Sequence, residues 1–281
     1  MRRALVLAGG GVAGIGWELG VLRGIQDSDP DLLASVAAAE VVVGTSAGSA
    51  VAAQITSGTP LEELYAAQLI EASGEIDVDL DLDELMERFG TAAAGATSGQ
   101  ELRQRIGALA LETETVSEAV RHAVIEARLP RPSWPDRMVL LPAVDASSGD
   151  PVIFTRDSGV ELADAVAASC AVPGVWPPVT IDGHRYMDGG IRSATNADLA
   201  AGCDRVLIIT PGLADAPQLW GSLDDEIEAL KPGGALVIYA DVASVAAFGS
   251  NPLSPATRGP AARAGRAIGQ DQASALGAFW R

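Results

Sequence analysis

Gly44-Thr45-Ser46-Ala47-Gly48 has the G-x-S-x-G spacing of a nucleophile elbow, in which a serine is held on a sharp strand-to-helix turn and small flanking residues relieve the crowding. Ser46 is therefore the candidate nucleophile. Gly9-Gly10-Gly11-Val12-Ala13-Gly14 follows another short apolar run, and Asp188-Gly189-Gly190 lies far downstream. Together the three segments describe a serine hydrolase that works without a catalytic histidine.

The histidines support that reading. The chain has only His122 and His184, and both precede Asp188. An α/β-hydrolase elbow requires the order Ser, then Asp or Glu, then His, which Ser46 and Asp188 cannot complete here. His122 falls in a predicted helix over 116–126 and reads as a solvated helix residue. His184 follows Asp182-Gly183 between strand-like residues, the signature of a hairpin turn.

These residues carry a family resemblance. The glycine segment at 9–14, the elbow at 44–48, Ala168-Ser169-Cys170-Ala171-Val172-Pro173-Gly174-Val175-Trp176-Pro177-Pro178-Val179 and Asp188-Gly189-Gly190 resemble, in order and spacing, a patatin-like phospholipase. The likeness extends over about the first 210 residues. A lone G-x-S-x-G is a weak signal, whereas four segments in family order are a strong one.

The resemblance implies a three-layer α/β/α sandwich with a mainly parallel central sheet and a Ser/Asp dyad, with Ser46 as nucleophile and Asp188 as its base. It also implies an oxyanion hole from backbone N–H groups of Gly10, Gly11 and Val12. Gly9, Gly14, Gly44, Gly48, Gly189 and Gly190 complete the motifs. No cofactor or metal is implied. A serine hydroxyl needs a positioned proton acceptor and donors aimed at the developing oxyanion. An ordinary carboxylate, with a pKa of about 4, is a weak base in water, so desolvation would help it in that role.

The chain departs from the family pattern at two places. Ala13 stands where members often carry Arg or Lys, which removes a cation and leaves the backbone donors intact. The residues after Asp188-Gly189-Gly190 lack the Asn-Pro-type continuation of many members, and Arg192 among them reads as half of a structural salt bridge. The glycine segment also fits a dinucleotide fingerprint, Gly9-x-Gly11-x-x-Gly14. That fingerprint needs an acidic residue at the end of the second strand, where this chain has the elbow instead. A purely structural turn is the remaining reading, since glycines also serve close packing.

Strands are expected at 4–8 and 41–43, leading into the glycine loop and the elbow. Thr59-Pro60-Leu61-Glu62 reads as a helix start, with Thr59 as N-cap and Glu62 completing a capping box. An insertion over about 70–130 is helical and irregular, with helices predicted at 83–89, 100–111 and 116–129. This is where a lid or acyl-chain pocket could sit. Strands at 138–144 and 152–155, a helix near 160–169, a hairpin delivering Asp188, and strands at 205–209 and 235–239 follow. Strands alternating with helices argue for a mainly parallel sheet covered on both faces, with sites at the carboxyl ends of the strands. The expected organisation is one domain over 1–281, with a catalytic core at about 4–210 and a C-terminal strand and helices over 211–281. The Pro- and Ser-containing 251–260 stretch is expected as a loop before the last helix. Trp17 and Trp176 are expected in the core, with an acyl-pocket lining as the alternative.

Composition fits. At 281 residues and 48% hydrophobic side chains, the chain can bury one large core. Cys170 and Cys203 give neither a disulfide framework nor zinc spacing, and the cytoplasm is the natural compartment, with peripheral contact at a membrane as an extension. Met1-Arg2-Arg3 before an apolar run resembles a signal-peptide start, but cleavage there would destroy the glycine loop. No segment offers about 20 consecutive apolar residues. The net charge of −18, from 37 acidic and 19 basic residues, opposes nucleic acid and strongly anionic lipid surfaces. Residues 75–84 form the densest acidic stretch; without the glycine and terminal glutamate of a calcium loop, they read as a solvated loop leading into a helix. Arg258, Arg263, Arg266 and Arg281 could form a small interfacial patch on a C-terminal helix, with a solvated face the leading reading.

The functional expectation is an acyl ester hydrolase acting on a lipid or acyl-ester substrate. Alternatives are a general carboxylesterase or thioesterase on the same dyad, a lipid-binding protein with weak or lost catalysis, and, last, a nucleotide-dependent enzyme.

Overall fold

The computed structural model describes residues 1–71, 74–214 and 220–281. Small parts of two expected segments, 72–73 in the insertion and 215–219 near the C-terminal strand, lie outside the described residues.

The chain runs through β1 (Arg3–Leu7), α1 (Gly11–Ser28), α2 (Pro30–Ala37), β2 (Val41–Gly44), α3 (Ala47–Thr56) and α4 (Leu61–Gln68). The insertion supplies α5 (Leu82–Ala93), α6 (Gly99–Glu112) and α7 (Glu118–Arg128). Then come β3 (Met138–Asp145), β4 (Pro151–Phe154), α8 (Leu162–Ser169), β5 (Val179–Ile181) and β6 (His184–Asp188). The last part is β7 (Arg205–Thr210), α9 (Leu223–Ala229), β8 (Gly234–Tyr239), α10 (Val242–Phe248) and α11 (Arg258–Trp280).

One sheet has the order β5-β6-β3-β2-β1-β7-β8, with β4 also on β3. The strands from β3 to β8 in that order are parallel, while β4, β5 and β6 join antiparallel at the β3 end. Period-two alternation sorts the side chains onto two faces. Leu5, Leu7, Val42, Leu207 and Ile209 enter the core with α1, α3, α8 and α11, while Ala4, Val6, Val41, Val43, Val206 and Ile208 face the side covered by 197–200 and α9. Toward the antiparallel end, α5 and α6 cover that second side with Leu85, Phe89 and Ile106 against Val144 and Met187. The result is the expected three-layer α/β/α arrangement.

The longest helix contact was not expected from the sequence. On α1, Gly16, Gly20 and Gly24 recur every four residues and press against α11: a Cβ at Gly20 would lie 2.2 Å from the Ala262 carbonyl oxygen, and one at Gly265 would lie 2.1 Å from that of Trp17. Only residues without a side chain let the two backbones approach this closely. The basic residues of α11 serve the same junction. Arg258 donates to Gln68 and to the Ala67 carbonyl, Arg266 pairs with Asp27, and Arg281 pairs with Asp29. Three of the four arginines expected on a solvated face are thus engaged within the protein.

Asp81, Ser98 and Ser117 each accept the N–H three residues on and start α5, α6 and α7. At 59–62 the helix begins one residue later than expected: Pro60 is the cap residue and makes no side-chain cap, and Thr59 instead bonds with Ser57. Glu75, in the acidic stretch expected to be solvated, forms a bidentate pair with Arg128 at 2.7 and 2.6 Å. α1 begins at Gly11, so Gly9 and Gly10 form a short link after β1 while Gly11 to Gly14 already belong to the first turn of the helix.

Candidate active site

The elbow is built by steric exclusion. β2 ends at Gly44 and α3 begins at Ala47, leaving Ser46 at φ 51° and ψ −115°, a conformation rare for a residue with a side chain. The crossing of strand and helix leaves no room for a Cβ at either flank: at Gly48 it would come within 2.1 Å of the Leu7 carbonyl oxygen, and at Gly44 within 2.5 Å of that of Gly48.

Neighbouring groups hold Ser46 by its backbone. Its N–H donates to Ser169 Oγ at 3.0 Å, and its carbonyl accepts from Ser49 Oγ at 2.6 Å and from Cys170 Sγ at 3.1 Å. The Asp188 N–H donates to the Ala171 carbonyl at 3.0 Å. The stretch 168–171 therefore touches both Ser46 and Asp188, which gives its place in the motif set a physical reason. Asn196 ties the same two segments from another side, donating to Thr45 Oγ1 and to the Gly189 carbonyl.

Ser46 Oγ donates to Asp188 Oδ2 at 2.7 Å, and the other carboxylate oxygen accepts from the Gly190 N–H at 2.7 Å. Both side chains are buried. Burial pushes the Asp188 carboxyl up to about 7 from its ordinary value, against the smaller opposing pulls of the Ser46 hydroxyl, the Gly190 N–H and the Arg121 cation. Gly189 sits where a Cβ would meet the Pro142 carbonyl oxygen at 2.2 Å, which fixes the turn after the aspartate.

The first glycine segment arrives at the start of α1. The Gly9 N–H is taken by Ala194 and the Ala13 N–H by Pro252, while those of Gly10, Gly11 and Val12 meet no protein acceptor among the described residues. Gly11 and Val12 border a cavity of about 20 Å³ together with Ser46, Cys170, Val172, Trp176, Arg121, Arg128 and Leu253. Gly10 abuts Pro211, 2.3 Å from where its Cβ would stand. A space of this size holds about one water.

Two cations border that cavity. Arg128 is neutralised by Glu75. Arg121 is only 5% exposed and lays its guanidinium over the Trp176 ring, 3.8 Å from the centroid, with Nη1 enclosed and without an acceptor among the described residues. Burial, reinforced by the charge of Arg128, pulls Arg121 down to about 10. A larger hollow of about 430 Å³ shares Val12, Ile15 and Arg128 with the small one and extends past Leu64, Gln68 and Arg258.

The remaining candidates lie elsewhere. His122 pairs with Asp164 at 2.9 Å and His184 with Asp145 at 2.8 Å, both away from the Ser46–Asp188 contact. Arg192 is bound by Asp198 and Asn196, the structural salt bridge expected of it. Trp17 is core, donating to Ser244 Oγ at 3.0 Å, whereas Trp176 is buried and borders the cavity. Among the described residues, no group of three or more His, Cys, Asp or Glu is placed to hold a metal ion, and no helix is long and apolar enough to cross a membrane.

The sequence assigns no site role to Ser169, Cys170 or Asn196, although the first two lie inside a segment it singles out. Arg121 and Leu253 carried no local signal at all.

The sequence profile of the patatin-like phospholipases matches residues 5–201. VipD from Legionella pneumophila matches in structure with a TM-score of 0.48 and 15% identity, over 98% of this chain and 66% of that one. The type III effector protein ExoU matches with a TM-score of 0.44 and 14% identity, over 98% of this chain and 53% of that one. The chain thus spans less than two thirds of either. No curated protein sequence matches it. The profile covers well over half of the chain and includes both the elbow and the Asp188 turn, so the chain belongs to the patatin-like phospholipase family.

Proposed function

We propose that the protein is a lipid acyl ester hydrolase in which Ser46 is the nucleophile and Asp188 its base. Family membership supports lipid ester hydrolysis. The observation that carries the finer reading is the 2.7 Å hydrogen bond from Ser46 Oγ to a buried Asp188 carboxylate.

In this reading Ser46 Oγ attacks the ester carbonyl as its proton passes to Asp188, and the carbonyl oxygen becomes an oxyanion. The N–H groups of Gly11 and Val12, unpaired among the described residues, with Gly10 beside them at the positive end of α1, are the donors for that charge. Collapse of the intermediate expels the alcohol, which takes the proton from Asp188, and leaves acyl-Ser46. Water, deprotonated by Asp188, then attacks the acyl group, and its proton returns to Ser46 Oγ as the acid leaves. A carboxyl held up to about 7 is a stronger base than one at its ordinary value. With Asp188 as a base that must be ionised, the rate rises with pH through about 7.

The test is hydrolysis of a short-chain neutral ester by the wild type, Ser46→Ala and Asp188→Asn. Each substitution should lower kcat/KM by roughly 10³-fold or more with the fold unchanged by circular dichroism. Full activity in Ser46→Ala would sink the proposal.

A further inference from the structure

Three consecutive residues, Ala194, Thr195 and Asn196, reach all three motifs between them. The Ala194 carbonyl accepts the Gly9 N–H at 2.9 Å, and the Thr195 carbonyl accepts Thr45 Oγ1 at 3.2 Å. Asn196 donates from Nδ2 to the Gly189 carbonyl at 3.3 Å and to Thr45 Oγ1 at 3.0 Å. The glycine segment, the elbow and the Asp188 turn therefore meet on one short loop. Residues 193–196 belong to neither strand nor helix, and Asn196 is fully buried at φ 52°, an uncommon conformation for a residue with a side chain. Such a loop depends on side chains to hold it.

Glu226 on α9 supplies the outer hold. Its Oε2 accepts Thr195 Oγ1 at 2.5 Å and the Ala197 N–H at 2.8 Å. The carboxylate is buried and forms no ion pair among the described residues; Arg192 acts on it by charge but is itself bound by Asp198 and Asn196. Burying a carboxylate is costly unless it is hydrogen-bonded, and the two donors of the loop are what Glu226 satisfies. The same stretch of chain grips the Asp188 turn once more, where Trp220 Nε1 donates to the Gly190 carbonyl at 2.6 Å. Both holds come from beyond residue 201, outside the part matched by the family profile.

We infer that Glu226 is a positioning residue: by fixing 195–197 it sets the spacing of Ser46, Asp188 and the donors at the start of α1, without touching substrate. This rests on the reading of Ser46 and Asp188 as the dyad. A nucleophile and its base tolerate little displacement, since a shift of about 1 Å costs on the order of 10²-fold in rate. Removing the Glu226 carboxylate leaves a hydroxyl and an N–H buried without an acceptor, a penalty the loop relieves by moving. A glutamine in its place keeps an acceptor oxygen.

The test compares Glu226→Ala, Glu226→Gln and Thr195→Val on a short-chain neutral ester, with competent sites counted by fluorophosphonate labelling of Ser46. Glu226→Ala should lower kcat per labelled site by about 30-fold with KM within about twofold, and Glu226→Gln should recover most of that loss. Thr195→Val removes one of the two bonds at nearly constant volume; it should show a smaller fall of the same kind, and it decides if Glu226→Ala does not fold. A role confined to stability would lower the number of labelled sites and leave kcat per site unchanged, which would overturn the inference. A glutamine variant as slow as the alanine one would overturn it too. Hydrogen exchange answers without turnover: in the folded variant, peptides covering 9–12, 45–49 and 188–190 should all exchange about fivefold faster or more than in wild type. Acceleration confined to 195–197 would contradict the inference. Failure of the wild type to hydrolyse the ester or to take the label would instead strike the Ser46 reading, and the exchange arm would still decide whether Glu226 holds the three motifs together.

Discussion

The floor and the roof of the cavity at Ser46 are made by different physics. The floor is backbone: glycines at 44, 48 and 189 whose missing Cβ atoms would collide with carbonyl oxygens at 2.1–2.5 Å, and hydrogen bonds from 168–171 that grip Ser46 and Asp188. The roof is side chains from remote parts of the chain, with Arg121 stacked on Trp176 and Leu253 lying over Gly11. Hard-sphere exclusion and backbone hydrogen bonds leave the floor one arrangement. Dispersion and cation–π contacts can slide, so the roof is the part that must open if anything larger than one water is to reach Ser46.

The sharpest attack on this contrast is Gly48→Ala, which puts a methyl into the Leu7 carbonyl at the centre of the sheet. It should lower unfolding stability in urea by about 3 kcal/mol or more, or prevent folding. A folded variant of native stability would show that the floor is as pliable as the roof.

Next in size is a pH effect confined to the floor. The Asp188 carboxyl is raised to about 7 by burial, so its contribution to stability is fully present below its ordinary value and is lost as pH rises through about 7. Asp188→Asn cannot ionise. Its stability relative to the wild type should therefore rise by on the order of 3 kcal/mol between pH 4 and pH 8, as read by urea midpoints at both values. A constant difference would mean that Asp188 is not desolvated.

Leu253→Ala addresses the roof. Loss of a buried leucine side chain should cost about 2 kcal/mol, yet hydrolysis of bulky esters should rise a few-fold because Gly11 and Ser46 become easier to reach. A drop in that activity would make Leu253 part of the substrate site rather than its cover. The smallest expected effect is none: His122→Ala and His184→Ala should each leave ester hydrolysis within twofold of wild type, because both rings pair with carboxylates away from Ser46.

The same division explains what could be read in the sequence. The floor was legible because each piece is local: short continuous apolar runs mark β1, β2 and β7, and small residues at fixed offsets mark the elbow and the Asp188 turn. Asp182-Gly183 was read correctly as a hairpin turn, with both residues at positive φ. The roof was not legible, since Arg121 looks like any helix arginine until α3, α8 and the chain around Trp176 bring it to the cavity at Ser46. The start of α4 was misjudged because Thr59 had a competing partner in Ser57. The repeat of Gly16, Gly20 and Gly24 is plain in the sequence, but its meaning depends on Gly265 and Gly269, more than two hundred residues away.

The central claim is an activated serine that depends on one buried aspartate. The most direct measurement is labelling with a fluorophosphonate probe, with the adduct mapped by peptide mass spectrometry across pH 5 to 9 in wild type, Ser46→Ala and Asp188→Asn. The account predicts an adduct on Ser46 that forms faster as pH rises through about 7 and is suppressed by both substitutions. Labelling at another serine, or at Ser46 with equal speed in folded Asp188→Asn, would contradict it.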